Sequence, residues 1–467
     1  MITKQTVRAD AFRSPLHKKV ECLARRAGVI PPSFEFPMTT FLIRLNRFCS
    51  SLAIFSFCSV ALASEAPSAP PRNWIDPDTG HRVIRLTDEP GSASLYFNIN
   101  AFTPDGKRMV YTTADHGIGV VDLTTFTSRL LVDGPVGGGP GAVVVGRKTP
   151  TVYYFKGSPD DPKSASLWAA DIDTGTQHKV ADLPRRAGIF SINADETLGV
   201  GSYIVGDGED FNGRQAGQAT PTDWVAEPLN KQEKMARRLA ARLPMIVFTV
   251  DLKTGRTKPV FASSDWIDHL QFSPTDPTLL MYAHQGAWQQ VEKLWTIRTD
   301  GSQNRHIDPR IMAMEGSGHQ WWDNSGNIWY DLHFPEGIDA FVASYNVGNG
   351  KRIWYHYDQQ ESSIHFTRSA DGTLFAGDGS TTRGAQWIYL FRPELVQDDR
   401  SLGENLIQPG RLKAERVVNM SSHDYRLEPN VRFTPDGKYL IFRSNMFGPT
   451  YVFAVEVARS VPLTPAH

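Results

Sequence analysis

Apolar and polar positions along this chain alternate in short runs that rarely take up a helical period. Two such runs are Arg108-Met109-Val110-Tyr111 and Tyr439-Leu440-Ile441-Phe442. Each follows a turn signal, Phe102-Thr103-Pro104-Asp105-Gly106 before the first and Phe433-Thr434-Pro435-Asp436-Gly437 before the second. A third copy reads Phe272-Ser273-Pro274-Thr275-Asp276. Weaker copies read Ile192-Asn193-Ala194-Asp195, Asp323-Asn324-Ser325-Gly326 and Ser369-Ala370-Asp371-Gly372. An aromatic strand, a Pro-Asp-Gly turn and a second strand make one hairpin. The turns fall near 104, 145, 194, 274, 324, 370 and 436. Their typical spacing of about 45–50 residues is that of four-stranded blades. The pattern predicts an all-β fold, a seven-bladed β-propeller, with six or eight blades as the alternatives. A strand at 82–87 is expected to pair with the C-terminal strand at 450–455, closing the ring and removing both sheet edges.

A second phrase recurs at Asp122-Leu123-Thr124, Asp171-Ile172-Asp173-Thr174-Gly175 and Asp251-Leu252-Lys253-Thr254-Gly255. It reads as a hairpin turn between outer strands and carries no chemistry. One interval is too long for a blade. Between 205 and 242 the residues Asn230 to Arg242 are rich in strong helix formers, with apolar positions at 235, 239 and 243, and Pro244 ends the run. This predicts a helical insertion over one end of the propeller, either covering a pocket or decorating the rim.

The start of the chain follows a different pattern. From Met38 a basic region containing Arg44 and Arg47 leads into an apolar run from Phe48 to Leu62 and the small-residue sequence Ala61-Leu62-Ala63. That order predicts a secretory signal cut after about Ala63, with Met38 as the expected start and 1–37 a mis-called extension. A single membrane anchor is the alternative, but the apolar run is short for a bilayer. The domain reading is therefore an N-terminal extension plus signal at 1–64 (signal 38–64), a linker at 65–81, the propeller at 82–457 and a tail at 458–467. Cys22, Cys49 and Cys58 all precede the cut, so the mature chain offers no disulfide or thiolate chemistry. A periplasmic or secreted location is expected, with no stable membrane association after cleavage. A chain of 467 residues, 40% apolar with a formal net charge of −1, has ample core and no nucleic-acid footprint.

Histidine is the polar residue to follow. His269, His319 and His365 each stand five to six residues before a landmark turn, in Asp268-His269, Gly318-His319-Gln320 and Ile364-His365. Innermost strands line a propeller's channel, so three histidines at matching positions are expected to converge near one end of the axis. His284 and His365 either bind substrate or hold loops. In the last blade, His423, Glu428 and Asn430 join His319 as a candidate set for a divalent cation, Mn²⁺ or Ca²⁺, since imidazole, carboxylate and amide oxygens suit such ions. Trp321, Trp322 and Tyr425 either stack on sugar faces or fill the space between blades.

The segments Trp266-Ile267-Asp268-His269, Tyr282-Ala283-His284-Gln285-Gly286, Gly318-His319-Gln320-Trp321-Trp322, Ile364-His365, Asp371 to Gly379 and Phe433 to Gly437 resemble the oligogalacturonate lyase family, polysaccharide lyase family 22. The resemblance covers roughly residues 72–457. It implies a seven-bladed propeller that cleaves short α-1,4-galacturonides by β-elimination with a bound Mn²⁺. It further implies that His269 is the base, His319 the first metal histidine and Arg242 the arginine that meets the substrate carboxylate. The chain departs from the family in the last blade, where Glu428 and Asn430 stand in place of a glutamine and two histidines. The metal set is therefore expected to be altered. β-Elimination needs a base for a weakly acidic C5 proton and a cation for the adjacent carboxylate, and His269 with Arg242 and a metal meets both needs. The expected partner is a short anionic uronate oligosaccharide. A hydrolase using Asp268 and Glu428, or a non-catalytic carbohydrate-binding propeller, are the competing readings.

Overall fold

The computed structural model describes residues 70–137, 142–161, 163–206, 231–382, 384–397 and 406–460. The signal segment at 38–64, the linker up to residue 69, residues 207–230 of the predicted insertion and the tail from 461 lie outside the described residues. The described residues of the unit Ser68–His467 are built almost entirely of antiparallel strands.

Six four-stranded blades follow in chain order. Blade I holds Ala93–Ser94, Arg108–Thr112, Ile118–Asp122 and Thr127–Val132, and blade II holds Val143–Val145, Thr151–Gly157, Ala165–Asp171 and Gln177–Asp182. Blade III holds Ala187–Ile192, Leu198–Ile204, Met245–Asp251 and Thr257–Ser263, and blade IV holds Ile267–Phe272, Leu279–His284, Leu294–Arg298 and Arg305–His306. Blade V holds Gly316–Trp322, Asn327–His333, Ala340–Asn346 and Arg352–His356, and blade VI holds Phe366–Arg368, Phe375–Gly377, Trp387–Leu395 and Ile407–Asn419. The outer strands of blades V and VI pair in parallel, joining them into one eight-stranded sheet.

Blade VII is made from both ends of the propeller. Arg432–Phe433, Tyr439–Ser444 and Tyr451–Arg459 are completed by His81–Arg85 and Asn73–Ile75. The register Ile84↔Ala454 and Arg85↔Phe453 is the predicted closing pair, and Asn73–Ile75 adds a fifth strand that was not foreseen. Seven blades are thus present, as the turn spacing predicts.

The landmark turns repeat in atomic detail. Thr103 Oγ1 donates to Asp105 Oδ1 at 2.5 Å, the Lys107 amide donates to the same oxygen at 3.1 Å, and Gly106 takes φ +71°. Thr434, Asp436, Lys438 and Gly437 reproduce this arrangement, as do Ser369, Asp371, Thr373 and Gly372. Only glycine takes that φ without a Cβ penalty, which is why the motif ends in Gly. In the outer turns Asp251 accepts from the Lys253 and Thr254 amides, and these bonds hold its carboxyl below the usual range. All seven turns close the same end of the inner strands, so the other end is left for the loops that lead into them.

Helix α1 (Lys231–Ala240) is the predicted insertion, shorter than expected within the described residues. It is anchored by Arg238, which is 1% exposed, lies 5.4 Å over the Trp266 ring and reaches Met245 Sδ at 3.2 Å. Leu239 packs over Gly286, where a Cβ would sit 3.0 Å from its methyl carbon. The helix therefore covers the entrance side of blade IV.

Phe453 is fully buried in the closing sheet, stacked on Phe442 at 5.6 Å and met edge-on by Trp74 at 5.8 Å. Phe453→Ala is expected to lower the unfolding free energy by about 3–5 kcal/mol. Urea denaturation measures this, and a loss below about 1 kcal/mol would show that the closing strands do not unfold with the rest.

Candidate active site

The three aligned histidines do converge. The His319 and His365 ring centroids lie 4.7 Å apart. Tyr96 lies 5.1 Å from the His365 ring and 6.0 Å from the His269 ring, and Phe97 stacks on His365 at 4.5 Å. The backbone explains how these side chains are aimed. His269 has φ +50° and His319 φ +43°, each within a register shift of its inner strand, between Asp268 and Gln271 and between Gly318 and Trp321. A bulge with a left-handed residue turns one side chain out of the regular alternation, at a cost of about 1–3 kcal/mol each. Asn430 repeats the left-handed conformation, φ +56°, ahead of the blade VII inner strand.

Each histidine is held by a polar partner from the neighbouring strand. His319 Nδ1 pairs with Asp331 Oδ2 at 2.8 Å, across from the Gly318↔Asp331 register pair. His365 Nδ1 pairs with Asp378 Oδ2 at 2.8 Å, and the His365 amide donates to Asp378 Oδ1 at 2.8 Å. These bonds leave each Nε2 directed away from its carboxylate. The buried His365 Nε2 has no hydrogen-bond partner, and Glu428 Oε2 stands 3.8 Å from it.

His269 is held differently. Lys293 Nζ donates to Gln285 Oε1 at 2.8 Å, which orients the Gln285 amide so that its nitrogen donates to His269 Nε2 at 3.1 Å. The lone pair of the neutral ring is thereby placed on Nε2 and its proton on Nδ1. Burial is the main cause that lowers the His269 pKa below the ordinary imidazole value. Lys293 and the His365 ring, when protonated, add to it, while Asp268 and Glu428 oppose it. The Tyr96 hydroxyl is pushed well above its usual value by burial and by Glu428, Asp268, Asp331 and Asp378. Burial, with Asp378, also raises Asp331. The chamber thus gathers four carboxylates around three imidazoles.

Arg242, φ +47°, lies just beyond α1 and pairs with Asp265 Oδ1, while His284 Nδ1 takes the other carboxylate oxygen at 3.1 Å. Arg242 is 58% exposed at its side chain. Asp265 lies four residues before His269, in the loop that leads into the blade IV inner strand. His284 belongs to the cluster; burial first, then His306 and Arg242, lower its pKa against Asp265.

Other expected site residues are not brought to the chamber as ligands or platforms. His423 uses both ring nitrogens, on Ser444 Oγ at 2.9 Å and the Leu427 carbonyl at 2.7 Å. Asn430 accepts from the Phe97 amide at 2.9 Å and donates to the Glu428 carbonyl at 2.9 Å. Both are scaffold, because every polar atom that might reach an ion is already engaged. Tyr425 is buried against His423 and donates to the Asp378 carbonyl at 3.2 Å. Trp321, 5% exposed, packs on Trp329 and Phe97 between blades. His365, expected at the substrate, instead stands with His319 and Glu428. Asp331, Asp378, Gln285, Lys293 and Asp265 were missed. The signal for the first two is strand register: Asp331 lies opposite Gly318, the neighbour of His319, and Asp378 lies across from His365 just beyond the Phe366↔Gly377 pair.

The donor set of His319, His365 and Glu428 fits a divalent cation, given a buried unpartnered imidazole nitrogen and two carboxylate-oriented rings. Among the described residues no three such donors are already drawn to ligand spacing. Two imidazoles favour Mn²⁺ over Ca²⁺, which prefers oxygen alone.

A family model described as oligogalacturonate lyase matches residues 71–387. An oligogalacturonate lyase of Dickeya dadantii (strain 3937) and an oligogalacturonide lyase of Pectobacterium atrosepticum are each 22% identical, over 83% of this chain and 96% of theirs. A solved oligogalacturonate lyase in complex with manganese superposes with TM-score 0.66 at 22% identity, covering 83% of this chain and 96% of that one. A second, from Vibrio parahaemolyticus, gives TM-score 0.66 at 20% identity, covering 84% of this chain and 97% of that one.

Imidazole NMR across a pH series tests the relay at His269. Its midpoint is expected below the ordinary value of about 6.5, with Nδ1 protonated in the neutral form. Lys293→Met removes a like charge and the anchor of Gln285, so the midpoint should rise. A wild-type midpoint at or above about 6.5 would contradict the burial argument.

Proposed function

The chain belongs to the oligogalacturonate lyase family, and we propose that it cleaves short α-1,4-linked galacturonides by β-elimination with His269 as the base. The observation that carries this reading is the half-buried His269, kept neutral by its surroundings with its lone pair set on Nε2 by Gln285 and Lys293. His269 Nε2 takes the C5 proton, the C–H electrons form the C4=C5 double bond, and the C4–O bond to the next sugar breaks. The leaving oxygen gains a proton and the product is a 4,5-unsaturated uronate. Substrate must displace the Gln285 amide from Nε2, so the group that fixes the tautomer also covers the base until the sugar arrives.

Removing a proton beside a carboxylate builds negative charge that has to be met by cations. Arg242 supplies a bidentate fork at the rim once the uronate competes with Asp265 for it. His319, His365 and Glu428 would hold a divalent ion, Mn²⁺ by donor type, whose charge stabilises the enolate when bound. Asp331 and Asp378 keep the two rings aimed. Four carboxylates near Tyr96 would repel a uronate without such cations. We further read 38–64 as an export signal, which places the reaction in the periplasm or outside the cell.

Mature protein incubated with trigalacturonate should release product with the ultraviolet absorbance of a conjugated uronate. His269→Ala is expected to lose about 10²–10⁴-fold in kcat, with Mn²⁺ affinity unchanged by calorimetry. Asp378→Ala is expected to weaken Mn²⁺ about 10–100-fold, whereas His423→Ala leaves the ion in place. Saturable Mn²⁺ binding without any unsaturated product from galacturonides would shift the substrate to another uronate. Neither binding nor product would end the lyase reading.

A further inference from the structure

The central axis has a second end. Every inner strand runs from the histidine chamber down to a landmark turn, and at the turn end a cavity of about 310 Å³ opens between blades I, II, V, VI and VII. Asn98, Asn100, Arg147, Trp322, Arg368 and Arg432 are among its polar and aromatic lining residues, with Asp323 beside Arg368. A smaller adjoining space of about 40 Å³ shares Asn98, Asn100, Arg147 and Trp322 and adds Gln271. None of His269, His319, His365, Glu428 or Arg242 lines either space. Asn98 and Gln271 both donate to the Gln320 carbonyl at 3.0 Å, a polar layer on the axis. The volume is at the low end of small-molecule pockets, roughly 300–1,000 Å³.

Charge is what sets this cavity apart. Arg147 follows the blade II inner strand and makes no hydrogen bond or ion pair among the described residues. Burial alone lowers its pKa. Arg432, 4% exposed, donates only to main-chain carbonyls, Ile99 at 2.7 Å and Leu95 at 2.6 Å among them, and its Nε has no partner. Burial with Arg443 brings it down to about 9. Arg368 is neutralised by Asp323 at 2.9 Å, and that carboxylate is already engaged by Asn327 and Trp329. The one carboxylate among the lining residues, Asp323, is taken by Arg368, so Arg147 and Arg432 line the recess without a carboxylate of their own, an arrangement that costs free energy unless a counter-anion enters. Asn98, Asn100 and the Trp322 ring add the hydrogen-bonding and stacking surface of a ligand site.

We propose that this turn-side cavity is a second binding site, for a compact oxyanion, carboxylate or phosphate, with Arg147 as the fork that grips it and Arg432 as the fixed charge behind. The site goes beyond the lyase reading and does not depend on it. A monomeric uronate and inorganic phosphate share the required chemistry and are separable by experiment.

Sodium galacturonate and sodium phosphate are titrated separately, at constant ionic strength, into wild-type protein, Arg147→Gln and Arg147→Lys. The expected result is an anion isotherm weakened about tenfold or more in Arg147→Gln, as for loss of a charge-assisted bond. Arg147→Lys keeps the charge without the fork and should fall between the two, and it supplies the comparison should Arg147→Gln fail to fold. Turnover of trigalacturonate without added anion should be unchanged in both variants, which separates this site from the histidine chamber. Dependence on Arg147 for galacturonate assigns the site to a uronate, and dependence for phosphate alone assigns it to phosphate. Equal binding of both anions by all three proteins would overturn the proposal.

Discussion

The pairing of His81–Arg85 with Tyr451–Arg459 is the constraint on which the rest depends. Seven twisted sheets have a common axis only when the last is locked to the first, and here one blade is built from both ends of the propeller. Val83 and Phe453 are fully buried within that blade, so closure is held by apolar packing as well as by ladder bonds. Closure removes the exposed edges and gives every inner strand the same direction along the axis. Histidines from separate blades can then meet, although they are about fifty residues apart in the chain.

Within that frame the chamber is set by left-handed backbone and buried carboxylates. Regular strands would alternate side chains in and out. The bulges at His269 and His319 break the alternation at the places where imidazoles are needed. Asp331 and Asp378 then fix which nitrogen faces inward, and Asp378 also takes the Asn430 amide, tying blade VI to blade VII. The cost of strain and desolvation is offset by packing around Tyr96, Phe97 and Trp288. The neutral ring of His269 and the unpartnered Nε2 of His365 result from two different solutions to the same problem. One ring is oriented by an amide and the other by a carboxylate.

The two ends of the axis differ in sign. The histidine end is rich in carboxylate and suits a cation, whereas the turn end is lined by guanidinium groups. On the proposed readings, an anionic sugar would meet the first end through cations brought to it, and an anion would be matched directly at the second.

Much of the fold was legible beforehand. The Thr-Pro-Asp-Gly turns carry their own hydrogen bonds and positive φ, so repetition alone predicts blades, their number and the position of the channel. The matching offsets of His269, His319 and His365 predict convergence for the same reason, since equal local structure repeats around an axis. The last blade was misread. His423 and Asn430 have the right chemistry in sequence, but their polar atoms are consumed by Ser444, Leu427, Phe97 and Glu428, which only packing brings near. By itself the sequence determined the propeller and the convergence of three histidines, because both follow from local turns and their period. Tertiary structure alone decided the partner of each imidazole, the place of His365 beside Glu428 and the unbalanced arginines of the far cavity, because these depend on contacts between blades that no local pattern encodes.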